Sequence, residues 1–123
     1  MSEIMSDYKK LIISIDTNGV NRITLNDIPR RNALSESMII QLISSLEQAA
    51  LNPSVKVIII SSKGSVFCSG HDLKEITNAR AEADHGKAFF IKLMALCSKL
   101  MQTIVTCPKP VIAEVSGVAT AAG

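Results

Sequence analysis

Aromatic side chains are nearly absent from this sequence: they make up 3% of its 123 residues, and there is no Trp. That is too few for the stacking platforms that hold single-stranded nucleic acids. Charge of one sign is missing as well. The 13 basic and 11 acidic residues are interspersed and leave a net +2, with no basic stripe to follow a phosphate backbone. Nucleic acid is not an expected partner. Cysteine and histidine are scarce: Cys68, Cys97 and Cys107 form an odd set without CxxC spacing, and His71 and His85 stand apart. No structural zinc pattern results, and a reducing compartment fits. Long apolar runs are also lacking. The most hydrophobic helical stretch, "FFIKLMALCSKLM", is interrupted by Lys92 and Lys99, so no membrane span is expected. The amino-terminal "MSEIMSDYKK" carries Glu3 and Asp7 and no apolar core, which argues against a secretory leader or an Arg-rich transit peptide. These absences together lead to the expectation of a soluble, cytoplasmic protein.

What is present is the composition of a folded domain, 47% hydrophobic and 20% charged, within the size of a single domain. "KLIISI" (Lys10–Ile15) and "VNRITLN" read as strands joined at Asn18-Gly19, an antiparallel hairpin signal. "DIPRRNALS" forms a loop. Ser35 is a candidate N-cap, followed by a helical stripe at Ile39, Leu42, Ile43, Leu46, Ala49 and Ala50 that stops at Asn52-Pro53. "VKVIIISS" has no alternation, which predicts a strand buried on both faces. A short helix follows the next loop. A longer helix is predicted over 84–105, with Phe89, Leu93, Leu96, Leu100 and Ile104 near one face. "VIAEVSG" reads as another buried strand, and the chain closes on "VATAAG". The order β-β-α-β-α-β is that of an α/β chain with crossover connections. A buried last strand without a following helix gives the expectation of a chain that stops in mid-fold.

The stretch "SVFCSGHDLKEI" (Ser65–Ile76) concentrates Cys, Ser, His and Asp and admits three chemistries. A nucleophile reading meets difficulties: the residue two before Ser69 is Phe67, which breaks the GxSxG elbow, and Cys–His pairs generally meet through the fold. A metal reading has only His71 and Asp72, adjacent residues that point apart, where at least three ligands are needed. A turn reading has Gly70 for a sharp bend and "DLKE" as a capping box, with Asp72 at the N-cap and Glu75 at N3. It leaves free backbone N–H groups beyond a strand end, which suit an anion or a developing oxyanion. An ordinary capped loop remains the alternative. "SGVATAAG" is a second loop of small residues after a strand. Two such loops, each giving one N–H to a single carbonyl oxygen, would form an oxyanion hole.

Three segments together, "RRNALS" (Arg30–Ser35), "VKVIIISSKGSVFCSGHDLKEI" (Val55–Ile76) and "KPVIAEVSGVATAAG" (Lys109–Gly123), resemble the enoyl-CoA hydratase/isomerase, or crotonase, family over residues 12–123. The resemblance implies an α/β fold, the N-terminal part of a spiral of ββα units, in proteins that assemble as trimers or pairs of trimers. It also implies an acyl-CoA or enoyl-CoA thioester as substrate, with coenzyme A a part of that substrate and no separate cofactor or metal. The two oxyanion donors would be the amides of Ser69 and Ala122. Ser69, Gly70, His71 and Asp72 would lie along the acyl-CoA, Arg30 and Arg31 would meet its adenine and phosphate end, and Ala33 would be a further substrate-binding position. His71 stands where a small residue is usual, and "AAG" where many members have three glycines. Family members are roughly twice as long, and the two glutamates serving hydratases as acid and base would lie beyond Gly123. Within the family a mitochondrial location is also known. The expectation is thus an enoyl-CoA hydratase-like protein of acyl-CoA metabolism, with a non-catalytic acyl-CoA-binding or regulatory relative, or an inactive fragment, as alternatives.

Overall fold

A computed structural model describes residues 9–123; the segment on which the leader expectation rests lies mostly outside the described residues. The hairpin forms as expected. Strand β1 (Ile12–Thr17) pairs antiparallel with β2 (Val20–Leu25). Asn18 and Gly19 turn the chain with φ of 51° and 84°, the two positive values that a two-residue hairpin turn needs.

Helix α1 (Glu36–Leu51) starts at Ser35, whose hydroxyl accepts the Met38 N–H at 3.1 Å. Its apolar stripe is buried at Ile39, Leu42, Ile43, Leu46 and Ala49. The carbonyls of Ala49 and Asn52 at its far end both receive the Lys109 ammonium. That places a positive charge where the helix dipole is negative. Strand β3 (Val57–Ser62) lies parallel to β2 and to β5 (Val111–Ala113), giving a mixed sheet of order β1-β2-β3-β5.

Helices α1 and α3 (Lys87–Thr106) pack against each other and share one core with the sheet. Ile23, Leu25, Ile58 and Ile60 come from the sheet, and Met38, Ile39, Leu46, Leu93 and Leu100 from the helices. Between them the short α2 (Leu73–Ala79) follows β4 (Val66–Cys68), and β6 (Val118–Ala119) pairs parallel with β4 in a separate ladder.

Three expectations need correction. β3 is not buried on both faces: Ile58 and Ile60 are buried, whereas Val57 and Ile59 are only half-buried. β5 is not a buried strand, and Ile112 is 51% exposed. The cause is common to both, since the core lies on one side of the sheet and no described element covers the other. The third concerns α3. At 20 residues, with a mean hydropathy of 1.5 over an 18-residue stretch, it is long and apolar enough to cross a membrane by length and composition, despite Lys92 and Lys99. Here it packs Leu93 and Leu100 into the core. It begins at Lys87 rather than near Asp84, because Asp84 stands ahead of it and accepts the Gly86 and Ala88 N–H groups.

Candidate functional site

The loop between β2 and α1 is built around a side chain. A 3-10 turn (Ile28–Arg30) ends in two successive residues of positive φ, Arg31 at 52° and Asn32 at 53°. Asn32 is 1% exposed, and its amide uses both ends. Its Oδ1 accepts the Asp27 N–H at 2.7 Å, and its Nδ2 donates to the Lys63 and Val66 carbonyls, each at 2.9 Å. The loop is thereby fixed to the start of β4. Past β4 the two chains stay together: the Leu34 N–H donates to the Gly70 carbonyl at 2.7 Å, and Leu34 bridges His71 in parallel fashion.

The two small-residue loops meet. The Thr120 N–H donates to the Cys68 carbonyl at 3.1 Å, and its hydroxyl to the Ser69 carbonyl at 3.2 Å. Gly70 has φ +87°, and a Cβ there would stand 2.9 Å from the Ala121 Cβ and 3.5 Å from the Ala122 nitrogen. Only glycine allows this approach. Gly123 is equally close on the other side, where an added Cβ would fall 2.5 Å from the Cys68 carbonyl oxygen.

The two amides expected as donors differ. The Ala122 N–H meets no acceptor among the described residues. The Ser69 N–H is not free, because it donates to the Arg31 carbonyl at 3.2 Å. That corrects the picture of a turn of unpaired donors. The bond is at the long end of the N–H···O range, and a better-placed acceptor can compete for the proton. The Ser69 hydroxyl is occupied separately, donating to the Arg30 carbonyl at 3.4 Å.

Among the surrounding side chains, Asp72, Glu75 and Arg30 have partners. Asp72 caps α2, accepting the Lys74 and Glu75 N–H groups. Glu75 does not complete the expected capping box with Asp72; its carboxylate accepts the Glu36 N–H at 3.0 Å, tying α2 to the start of α1. Burial raises the Glu75 carboxyl above its ordinary value, with the Glu36 N–H working against it. Arg30 stands 3.9 Å from each of two carboxylates, Asp27 and Asp72. Asp27 is fully buried, and its carboxylate oxygens accept no hydrogen bond, so Arg30 is its counter-charge. The exposed Arg31 side chain has no ion pair among the described residues. Ala33 is buried and donates to the Arg30 carbonyl. The His71 Nδ1 is buried and has no partner among the described residues.

Cys68 is buried, and burial pushes its thiol up, with the Gly70 N–H opposing in part. A thiol kept protonated is a poor nucleophile. Among the described residues no group of three His, Cys, Asp or Glu could hold a metal. An apolar cavity of about 160 Å3 lies behind the loops, lined by Leu25, Leu42, Phe67, Cys68, Ala122 and Gly123. A larger hollow of about 450 Å3 sits at the α2–α3 junction, away from both loops.

Sequence reasoning missed Asn32, Thr120 and Lys109. Asn is tolerated at positive φ, which gave a faint signal for Asn32 within the loop. Thr120 and Lys109 reach partners 51 to 60 residues away and left no local sign.

Comparison with known proteins places this geometry. The model of the family described as "Enoyl-CoA hydratase/isomerase" matches residues 16–123. Enoyl-CoA hydratase domain-containing protein 3, mitochondrial, of Xenopus laevis is 48% identical over 94% of this chain and 38% of its own length. Its human counterpart is 43% identical over 86% of the chain and 33% of its own length. Among solved structures, human enoyl-CoA hydratase domain-containing protein 3 superposes with a TM-score of 0.82 at 38% identity, covering 92% of this chain and 43% of that one. An enoyl-CoA hydratase from Mycobacterium smegmatis gives 0.83 at 40% identity, covering 94% and 43%. The chain therefore spans less than half the length of the relatives it matches, and its α/β architecture is the N-terminal part of the crotonase fold. With nearly the whole chain matched in sequence and in shape, the protein belongs to the enoyl-CoA hydratase/isomerase family.

Proposed function

We propose that this chain carries the acyl-CoA-binding half of an enoyl-CoA hydratase-like site, in which the Ser69 and Ala122 amides hold the thioester oxygen. The observation that carries the reading is the contact of the two loops, Gly70 against Thr120–Ala122. On this reading the thioester oxygen takes the open Ala122 N–H directly and draws the Ser69 N–H from the Arg31 carbonyl. Each donor aimed at a developing enolate oxygen contributes on the order of 3 kcal/mol to the transition state. The acyl group would use the small cavity behind Cys68 and Ala122. Ser69 to Asp72 would run along the thioester, with the His71 ring limiting its width. Coenzyme A enters as part of the substrate, with no separate cofactor. Its phosphates would meet Arg31, since Arg30 is already engaged by two carboxylates.

Hydration also needs a general acid and base. Asp72 and Glu75 are committed to helix starts, so the proton transfers fall to residues outside this chain. For the 123 residues alone, that commitment favours a second reading: an acyl-CoA-binding but non-catalytic unit, whether regulatory or an inactive fragment. The names of the frog and human relatives carry "mitochondrial", which weighs toward that compartment over the cytoplasmic expectation. A trimer or pair of trimers is proposed for a protein of the relatives' length.

The test is hydration of a short enoyl-CoA, followed by loss of the enoyl thioester absorbance, for the chain alone and for the protein extended to the relatives' length. Turnover only by the extended protein supports the hydratase reading. Binding of acetyl-CoA without turnover by either supports the non-catalytic one.

A further inference from the structure

Asn32 belongs to no part of the expected site, yet more backbone converges on its side chain than on any other near the loops. It joins Asp27, Lys63 and Val66 through three hydrogen bonds of 2.7–2.9 Å while 1% exposed. The residue before it presents its carbonyl to the Ser69 N–H, and Leu34, two residues after it, bonds the Gly70 carbonyl. Both Arg31 and Asn32 hold positive φ; Asn tolerates that conformation, whereas Arg31 keeps it only because its surroundings enforce it. The Asn32 amide is that enforcement. It satisfies the Lys63 carbonyl of the β3–β4 connection, the Val66 carbonyl at the start of β4 and one N–H of its own loop, so the Arg31 carbonyl cannot move independently of β4.

We infer that Asn32 is a positioning residue for the Ser69 amide, acting through the Arg31 carbonyl. It sets the direction in which the Ser69 N–H points and the resting acceptor with which a ligand oxygen must compete. The relevance of this to catalysis rests on the proposed role of Ser69; the positioning itself does not.

Amide hydrogen exchange, resolved by residue, tests the inference in the protein extended to the relatives' length. In the parent, the Ser69 amide should be protected while the Ala122 amide, which has no acceptor among the described residues, exchanges at the rate of an open chain. Asn32→Gly tolerates positive φ and removes only the side chain. It should speed exchange at Ser69 and Leu34 by about tenfold or more relative to Ile23 in the sheet, as expected for a local opening. Asn32→Asp keeps the acceptor for Asp27 but loses both donors, and should show the same local pattern. An unprotected Ser69 amide in the parent, or acceleration in the variants that is uniform with Ile23, overturns the inference. Acetyl-CoA added to the parent separates the two claims. If the local pattern holds but the Ser69 amide resonance does not move on saturation, the inference stands and the thioester role of Ser69 falls.

Discussion

Cys68 and Ser69 are neighbours with opposite accessibility of their chemistry. The Cys68 thiol is buried and held protonated, and the Ser69 hydroxyl lies 3.4 Å from a backbone carbonyl, that of Arg30, rather than against a base. What Ser69 offers to a ligand is its N–H. In the protein extended to the relatives' length, Cys68→Ala and Ser69→Ala should therefore turn over a short enoyl-CoA at close to the parent rate. Ser69→Pro deletes the N–H and should lower turnover by about 10²–10³-fold, the range for one lost oxyanion donor. Because proline also disturbs a loop, a melt matched to the parent accompanies the assay. Abolition by Cys68→Ala would restore the nucleophile that the structure speaks against. The two arginines should separate in the same way. Arg31→Ala is expected to weaken acetyl-CoA binding in calorimetry while leaving the urea midpoint in place. Arg30→Ala strands the buried Asp27 carboxylate and is expected to lower the midpoint instead.

The helices are held by contacts between elements that differ in how they titrate. Glu75 is harder to ionise when folded, because burial opposes its charge. The folded chain then binds more protons than the unfolded one between the ordinary carboxylate value and the raised one, so stability falls as pH rises through that window. Glu75→Gln keeps an acceptor for the Glu36 N–H and should flatten that slope in urea midpoints taken across the acid range. Asp84 has the opposite sign: N–H groups at the start of α3 hold its carboxyl below the ordinary value, so its contribution is present above that value and fades as pH falls. Lys109→Met removes the ammonium from the last carbonyls of α1 and should cost about 1–2 kcal/mol in the same measurement. The hairpin at Asn18-Gly19 and the Ser35 cap were legible because both devices act within a few residues. The meeting of the two loops was legible only as a shared composition. The reach of Glu75 to Glu36 and the pairing of the Ser69 amide with Arg31 were not, since their partners lie 39 and 38 residues away. Local capping logic counts such donors as free. The exposure of β5 was anticipated only as cover lacking over a strand taken to be buried, because an apolar run records the cover a strand requires, not the cover present.

Across the whole molecule, cover is uneven. One face of the sheet and the inner sides of α1 and α3 enclose the core, while Ile112, Val115 and Val118 are more than half exposed beside one another in sequence. On α3, Phe90, Ile91 and Val105 also face outward. β5 adds a free strand edge, since among the described residues it pairs only with β3, and an uncovered apolar edge invites pairing with another chain. Charge offers little defence, because a net +2 over 123 residues gives weak mutual repulsion. The 123-residue chain by itself should therefore associate in solution and melt over a broad interval, as partly covered folds do. Sedimentation velocity and calorimetry check this, and a monodisperse monomer with one sharp, cooperative transition would contradict it. A second arm locates the cause. Ile112→Lys combined with Val118→Lys places charge on exposed positions of β5 and β6 without touching the buried core, and should raise the monomer fraction while leaving the far-ultraviolet circular dichroism unchanged. If the double variant associates as strongly as the parent, the sticking surface is the outer face of α3, and Ile91→Lys becomes the substitution that should release it.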